Sequence, residues 1–363
     1  MGTLSSSPPS SSDVSGNTAF DPRADARRGV IEQLSPLTAF LAHDDTIEVA
    51  VNRPGEVWVE TRAGWSRHED TAISLARLER LAKATATFSA QVFKQELPVL
   101  SATLPGGERI QIVGPPAVSA GTYSVTIRKP STTCYSLEAL AEMQLFQSVR
   151  RTGEAAADTN GALLALLERG AIKDFLAAAV VAKKNIIISG ATGSGKTTLS
   201  KALIAHIPRD ERILTIEDTP ELVVPHANRV ALYYSNGRQG RATIGPKDLL
   251  ESALRMRPDR ILLQELRDGT AFYYLRNVNS GHPGSITTVH ADSCTLAFEQ
   301  LTLLVKESEG GRDLARDDIR GLLHQLVDVV VQCKRVGGAF RVTEIDFVAA
   351  RRMSVGHGAA ARH

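Results

Sequence analysis

Apolar and polar positions change their rhythm part-way along this chain. In "TIEVAVN" (46–52) and "EVWVET" (56–61) they alternate, and "RPG" between the two runs supplies a turn with Pro54 and Gly55. "ERIQIV" (108–113) and "YSVTIR" (123–128) alternate again, and all four read as strands. "AISLARLERLAKATATF" (72–88) instead spaces Leu75, Leu78 and Leu81 as one helix face does. This first region reads as an α+β domain with a mainly antiparallel sheet. Further on, helical stretches separate short β-rich runs: "NIIIS" (185–189), "RILTI" (212–216), "VALYYS" (230–235), "RILLQ" (260–264), "SITTV" (285–289) and "DVVVQ" (328–332). That order predicts an α/β core with a largely parallel sheet.

The boundaries follow from composition. Residues 1–25, rich in Ser and Pro, read as a disordered tail, residues 26–135 as the N-terminal domain and residues 136–165 as a linker. The α/β domain covers 166–350, and "RRMSVGHGAAARH" (351–363) reads as a flexible tail. Around the linker, "STTCYSLEALAEMQLF" (131–146) is a candidate helix and "RRTGEAAADTNG" (150–161) a flexible stretch.

Bulk properties then exclude several classes. A hydrophobic content of 43% with 23% charged residues is that of a soluble globular chain, and 363 residues suffice for two domains. The net charge of +2 gives no electrostatic case for nucleic acid. Cys134, Cys294 and Cys333 are far apart and form no CxxC pair, so neither a disulfide framework nor a cysteine zinc site is expected, and a reducing cytosol fits. The apolar run "FLAAAVVA" (175–182) is too short to span a bilayer, and the N-terminus is no signal peptide.

"NIIISGATGSGKTTLSKALIAHI" (185–207) carries the chemistry. Gly190 to Thr197 match G-x-x-x-x-G-K-T between an entering strand and a leaving helix. The nucleotide-binding set is Gly190, Ala191, Thr192, Gly193, Ser194, Gly195, Lys196, Thr197 and Thr198. Backbone N–H groups of such a loop face phosphates, and the helix adds the positive end of its dipole. Lys196 then reaches the β- and γ-phosphates of ATP, and the Thr197 hydroxyl holds Mg²⁺. Two acidic sites follow. "ILTIEDTPEL" ends a strand in Glu217-Asp218, where Asp218 reads equally as a helix cap before Pro220. Glu265 in "RPDRILLQELRDG" falls at the C-terminal end of a strand, where open α/β sheets bind their ligands. Both Glu217 and Glu265 are candidates to position water, and Glu265 also to hold the metal. "SGHPGSITTVHADS" (280–293) leaves His282 and His290 open to metal binding with Asp292, to phosphate sensing, or to a structural role. Arg255 and Arg257 read as caps at the C-terminal end of a helix.

Taken in order, "GATGSGKTT", "TIEDTPEL", "LRMRPDRILLQELR" and "GHPGSITTVHADS" make the chain resemble the traffic ATPases of type IV secretion systems, relatives of the type II secretion and pilus-retraction ATPases. The N-terminal stretches "VNRPGEVWVE" and "SVTIRKPS" are similar to the same family. The resemblance implies a RecA-like P-loop NTPase domain behind a smaller α+β domain. It implies a cytoplasmic homohexamer peripheral to the inner membrane, partnered by components of the secretion machine and driving substrate export or pilus assembly. It gives His290 the role of coupling the γ-phosphate to subunit movement, with His282 supporting it less directly. It also places Arg109 and Arg128 over the phosphates. Arg238 and Arg241 are weaker candidates for arginines acting between subunits. Gln264 stands where the family usually has a small residue. The four-cysteine module of the type II branch is absent from the sequence, which favours the type IV branch. Other readings stay open: a small-molecule kinase, a nucleotide-gated scaffold with little hydrolysis, and a DNA motor, the last disfavoured by the near-neutral charge.

Overall fold

The structure, a computed structural model, describes residues 22–131, 133–149, 159–235 and 242–351. Of the tails expected at 1–25 and 351–363, residues 1–21 and 352–363 lie outside these residues, as do most of "RRTGEAAADTNG" and Arg238 and Arg241. Residues 22–25, expected in the tail, already belong to a helix.

The N-terminal domain opens with helices α1 (Pro22–Leu34) and α2 (Thr38–Ala42) and strands β1 (Glu48–Val51), β2 (Glu56–Thr61) and β3 (Gly64–Glu69). Helix α3 (Leu75–Phe88) and strands β4 (Val99–Thr103), β5 (Arg109–Val113) and β6 (Ser124–Arg128) complete it. The strands form one antiparallel sheet in the order β3-β2-β1-β6-β5-β4. The alternation read from the sequence decides its faces. Val49, Val51, Val57, Val59, Ile110 and Ile112 share a core with Leu78 and Leu81 of α3. Ser74 caps α3, its hydroxyl accepting from the Arg77 N–H at 3.3 Å. Strand β3, "GWSRHE", has no apolar alternation; it is an exposed edge strand defined by its pairing with β2.

Helix α4 (Leu137–Glu142) covers only part of the expected connector helix. None of its residues is buried among the described residues, and packing rather than propensity sustains most helices in proteins.

The C-terminal domain continues with α5 (Thr159–Glu168), α6 (Ile172–Val181), β7 (Ile186–Ser189), α7 (Lys196–Ile204), β8 (Ile213–Glu217) and β9 (Arg229–Tyr233). Then come α8 (Pro246–Ala253), β10 (Arg260–Leu263), α9 (Thr270–Asn279), β11 (Ile286–Val289), α10 (Cys294–Glu307) and α11 (Arg316–Leu326). A hairpin of β12 (Val329–Val336) and β13 (Ala339–Phe347) closes the domain. Its strands lie in two ladders, β10-β8-β9 and β11-β7-β12-β13, parallel except for β12 with β13. A parallel bridge between Glu265 and Thr288 joins β10 to β11. The resulting order is β9-β8-β10-β11-β7-β12-β13. Adjacent residues of β7 serve opposite layers: Ile186 and Ile188 pack with α6 and α7, Ile187 with α8 to α10. Burying such a side chain contributes about 1.5–3 kcal/mol.

The two domains meet across a polar seam. Arg212, fully buried at the start of β8, donates to Asn52 Oδ1 at 2.8 Å, to Asn228 Oδ1 and to the Met256 carbonyl. Burial lowers Arg212 to about 10, with Glu48 first among the carboxylates that hold it charged. Gln111 donates to Ser252 at 2.9 Å. Arg257 pairs with Glu60 at 2.6 Å, and its backbone is left-handed at φ 54°. The expected capping role of Arg257 is therefore replaced by an interdomain ion pair, because α8 ends four residues earlier, at Ala253.

Glu48 lies in the same seam at 2% exposure, 3.8 Å from Arg128, with Oε2 unpartnered. Burial first of all pushes its carboxyl up to about 7, against the opposing charge of Arg128. A raised folded-state value means the folded chain binds the extra proton. The stability this gives is full below the ordinary carboxylate range and is lost as pH rises through about 7. Glu48→Gln is expected to gain about 2 kcal/mol of stability at pH 8 and little at pH 5. Denaturant midpoints of the two chains at both pH values check it.

Candidate functional site

The phosphate loop leaves β7 at Gly190 and enters α7 at Lys196. Two of its glycines are sterically required. A Cβ at Gly190, whose φ is 155°, would stand 2.4 Å from the Cys333 carbonyl oxygen. Gly195 caps α7 at φ 93°, with the Phe340 side chain against it.

Lys196 is 8% exposed, and its ammonium donates to the carbonyls of Gly190 (2.8 Å) and Ala191 (3.0 Å). Burial lowers its basicity, with the Glu265 charge opposing. Nδ1 of His290 lies 3.4 Å from the same ammonium, and His290 Nε2 lies 2.7 Å from Glu265 Oε1. An ammonium only donates, so Nδ1 accepts, while Nε2 and Glu265 Oε1 are in contact without hydrogen-bond geometry. Lys196, His290 and Glu265 thus form one chain of contacts, from the phosphate loop to the end of β10. The other oxygen of Glu265 accepts from Arg267 Nε at 2.9 Å, and Arg267 also pairs with Asp218 at 3.1 Å.

Thr197, Glu265, Gln264, Glu221 and Thr288 line one small cleft. Hydroxyl and carboxylate oxygens are hard donors suited to Mg²⁺, which commonly takes one or two protein carboxylates and completes its shell with substrate phosphates and water. Ser194 Oγ and Gln264 Oε1 are buried without a hydrogen-bond partner among the described residues, as polar atoms awaiting a ligand would be. The residues present fit a magnesium–nucleotide complex. Glu221, within the "TIEDTPEL" box, was not singled out by sequence; only the fold turns it toward Thr197.

Glu217 has a different environment from that expected of a water-positioning carboxylate. It is buried, accepts from the Thr215 hydroxyl at 2.6 Å and receives the N–H groups of Glu221 (2.9 Å) and Leu222 (2.8 Å). Its oxygens hold the loop that presents Glu221. The helix that Asp218 was to cap does not form, since residues 218–228 contain none.

His282 and His290 do not share a site. His282 lines an interdomain cavity of about 730 Å³ together with Arg109, Arg128, Arg255, Arg257 and Glu48. No phosphate-loop residue lines that cavity. Within one chain, then, Arg109 and Arg128 are not brought to the loop. They stand directly opposite each other at the ends of β5 and β6, both exposed. Like charges so paired are unfavourable unless an anion meets them. Arg255, expected as a helix cap, faces the same cavity.

The family model described as "Type II/IV secretion system protein" matches residues 31–361. The type IV secretion system protein VirB11 of Bartonella henselae is 57% identical over 327 residues, covering 87% of this chain and 92% of its own. PtlH of Bordetella pertussis, also a type IV secretion system protein, is 44% identical, covering 88% and 94%. The crystal structure of the VirB11 ATPase from the Brucella suis type IV secretion system, in complex with sulphate, superposes with a TM-score of 0.86 at 43% identity, over 92% of this chain and 99% of that one. The C-terminal domain has the RecA-like fold of these ATPases, and the chain belongs to the type II/IV secretion system protein family, among the secretion ATPases of its type IV branch.

Proposed function

We propose that the chain hydrolyses ATP with Mg²⁺ as a homohexameric ring, and that domain movement in the ring powers substrate export or pilus assembly by a type IV secretion system. The observation that carries this reading is the contact chain Lys196–His290–Glu265 beside Thr197. Lys196 now bonds to loop carbonyls; a β,γ-phosphate is a stronger partner for the ammonium. When Lys196 turns to it, His290 loses a donor at Nδ1 and can follow, so phosphate occupancy is felt at Glu265. Glu265, held at one oxygen by Arg267, orients the attacking water. Mg²⁺, when bound by Thr197 and Glu265, neutralises charge on the phosphates.

Arg109 and Arg128 act in this reading on the nucleotide of a neighbouring subunit, since their own chain keeps them in another cavity. A guanidinium there offsets the charge that builds on the transferring phosphoryl oxygens. Among the described residues no helix is long and apolar enough to cross a membrane. In this reading the ring works at the cytoplasmic face of the inner membrane, associated peripherally through the components of the secretion machine.

Specific ATPase activity measured against protein concentration tests the reading. Activity per subunit that rises and then saturates, with Mg²⁺ present, is the expected result. Activity at background throughout, with ATP still bound, would favour the nucleotide-gated scaffold, for which the bulk of Gln264 in the cleft is the motivating feature.

A further inference from the structure

We propose that the β12–β13 hairpin is the base-recognition element of the nucleotide site and that Phe340 is its stacking platform; the inference rests on the nucleotide reading above. The direction of a bound nucleotide is set by the sheet. Glu265 and His290, the groups suited to the γ-phosphate, follow β10 and β11, on one side of β7. The hairpin lies on the other side, β12 pairing with β7 in parallel from Val329↔Ile186 to Gln332↔Ser189. A triphosphate with its terminal group at Glu265 must run its sugar and base away from those carboxylates, toward the hairpin.

What the hairpin presents there suits a base. Cys333 packs with Ile186 and Ile188, on the α7 face of the sheet. By strand alternation Arg335 shares that face, and its register partner is Phe340, while Val342 partners Cys333. Phe340 and Val342 thus form an apolar strip on the face from which the phosphate loop and α7 rise. The hairpin reaches the loop at two points: Phe340 carbons lie 3.1–3.3 Å from a Cβ built on Gly195, and the Cys333 carbonyl abuts Gly190. Phe340 is nevertheless 56% exposed, so a large aromatic face stands open beside a loop built for phosphate. The glycines at the hairpin turn, Gly337 (φ 59°) and Gly338 (φ 80°), keep this turn tight, and Arg335 Nε donates to the Gly338 carbonyl at 3.2 Å, bracing the strand opposite Phe340. Phosphates are gripped by charge and backbone dipoles, whereas a purine needs an apolar π-face, and this ring supplies one next to the loop.

The test compares ATP with inorganic tripolyphosphate, which carries the charges and no base. Equilibrium binding of both is measured on the full chain and on Phe340→Ala and Phe340→Trp. Phe340→Ala is expected to weaken ATP binding about tenfold and leave tripolyphosphate binding unchanged. Phe340→Trp is expected to keep ATP affinity and to add an indole emission quenched by ATP and not by tripolyphosphate, above the parent's Trp58 and Trp65 background. Equal losses for both ligands in Phe340→Ala would overturn the inference, since the hairpin would then only shape the loop. No loss for either, or an indole in Phe340→Trp unmoved by ATP, would overturn it as well. A parent chain that binds neither ligand would instead overturn the nucleotide reading, and this inference with it.

Discussion

Glu265→Gln is expected to lower ATP turnover about a thousandfold while ATP binding stays near that of the parent chain. The amide keeps the size of the carboxylate and an oxygen for the Arg267 guanidinium, so the cleft with Thr197 persists. It loses the negative charge that faces the His290 Nε2 at 2.7 Å and that the proposed function uses to orient water. Lys196→Ala should behave differently, losing binding and turnover together, because in the proposed reading its ammonium leaves the loop carbonyls to meet the phosphates. Single-turnover hydrolysis alongside equilibrium ATP binding separates the two. A Glu265→Gln chain that turns over at the parent rate would remove Glu265 from the chemistry and return attention to Glu217 or Glu221.

Mixing two dead chains is expected to restore activity. Lys196→Ala lacks a working phosphate loop and keeps its arginines; the double variant Arg109→Ala/Arg128→Ala keeps the loop and lacks the arginines. If the arginines act between subunits, a mixed ring contains double-variant loops served by the arginines of a Lys196→Ala neighbour. Random assembly at equal amounts gives up to about a quarter of the interfaces this arrangement. If the arginines served their own loop, no chain in the mixture would hold a complete site and the mixture would stay dead. The structure favours recovery, because both guanidiniums of one chain line a cavity that its own phosphate loop does not reach. The measurement is ATPase activity after co-assembly, with each variant alone as the control.

The local elements were legible because local physics makes them. Alternation in β1, β2, β5 and β6 put the right residues on the core face, and apolar runs marked the parallel strands. The strands missed, β3, β4 and β13, owe their state to a neighbour. "GWSRHE" and "AFRVTEIDF" read as polar or mixed sequence and become strands only because β2 and β12 offer free ladder groups beside them. The expected connector helix forms only over Leu137–Glu142, where none of its residues is buried.

The glycine-rich loop with Lys196 and Thr197 is legible in the sequence because consecutive residues build it between a strand and a helix, and Glu265 because it stands just past the C-terminal end of an apolar strand. The remaining placements come from long-range packing. It set His290 between Lys196 and Glu265 and carried His282 to another cavity, although the two histidines stand eight positions apart in one motif. It turned Glu217 from a water-facing carboxylate into the anchor of the loop bearing Glu221. It moved Arg109 and Arg128 away from their own loop, and Phe340 onto it. These outcomes depend on strand order, in which β7 lies between two strands that come about a hundred residues or more later, and such long-range pairing is selected by the whole buried sheet rather than by local spacing.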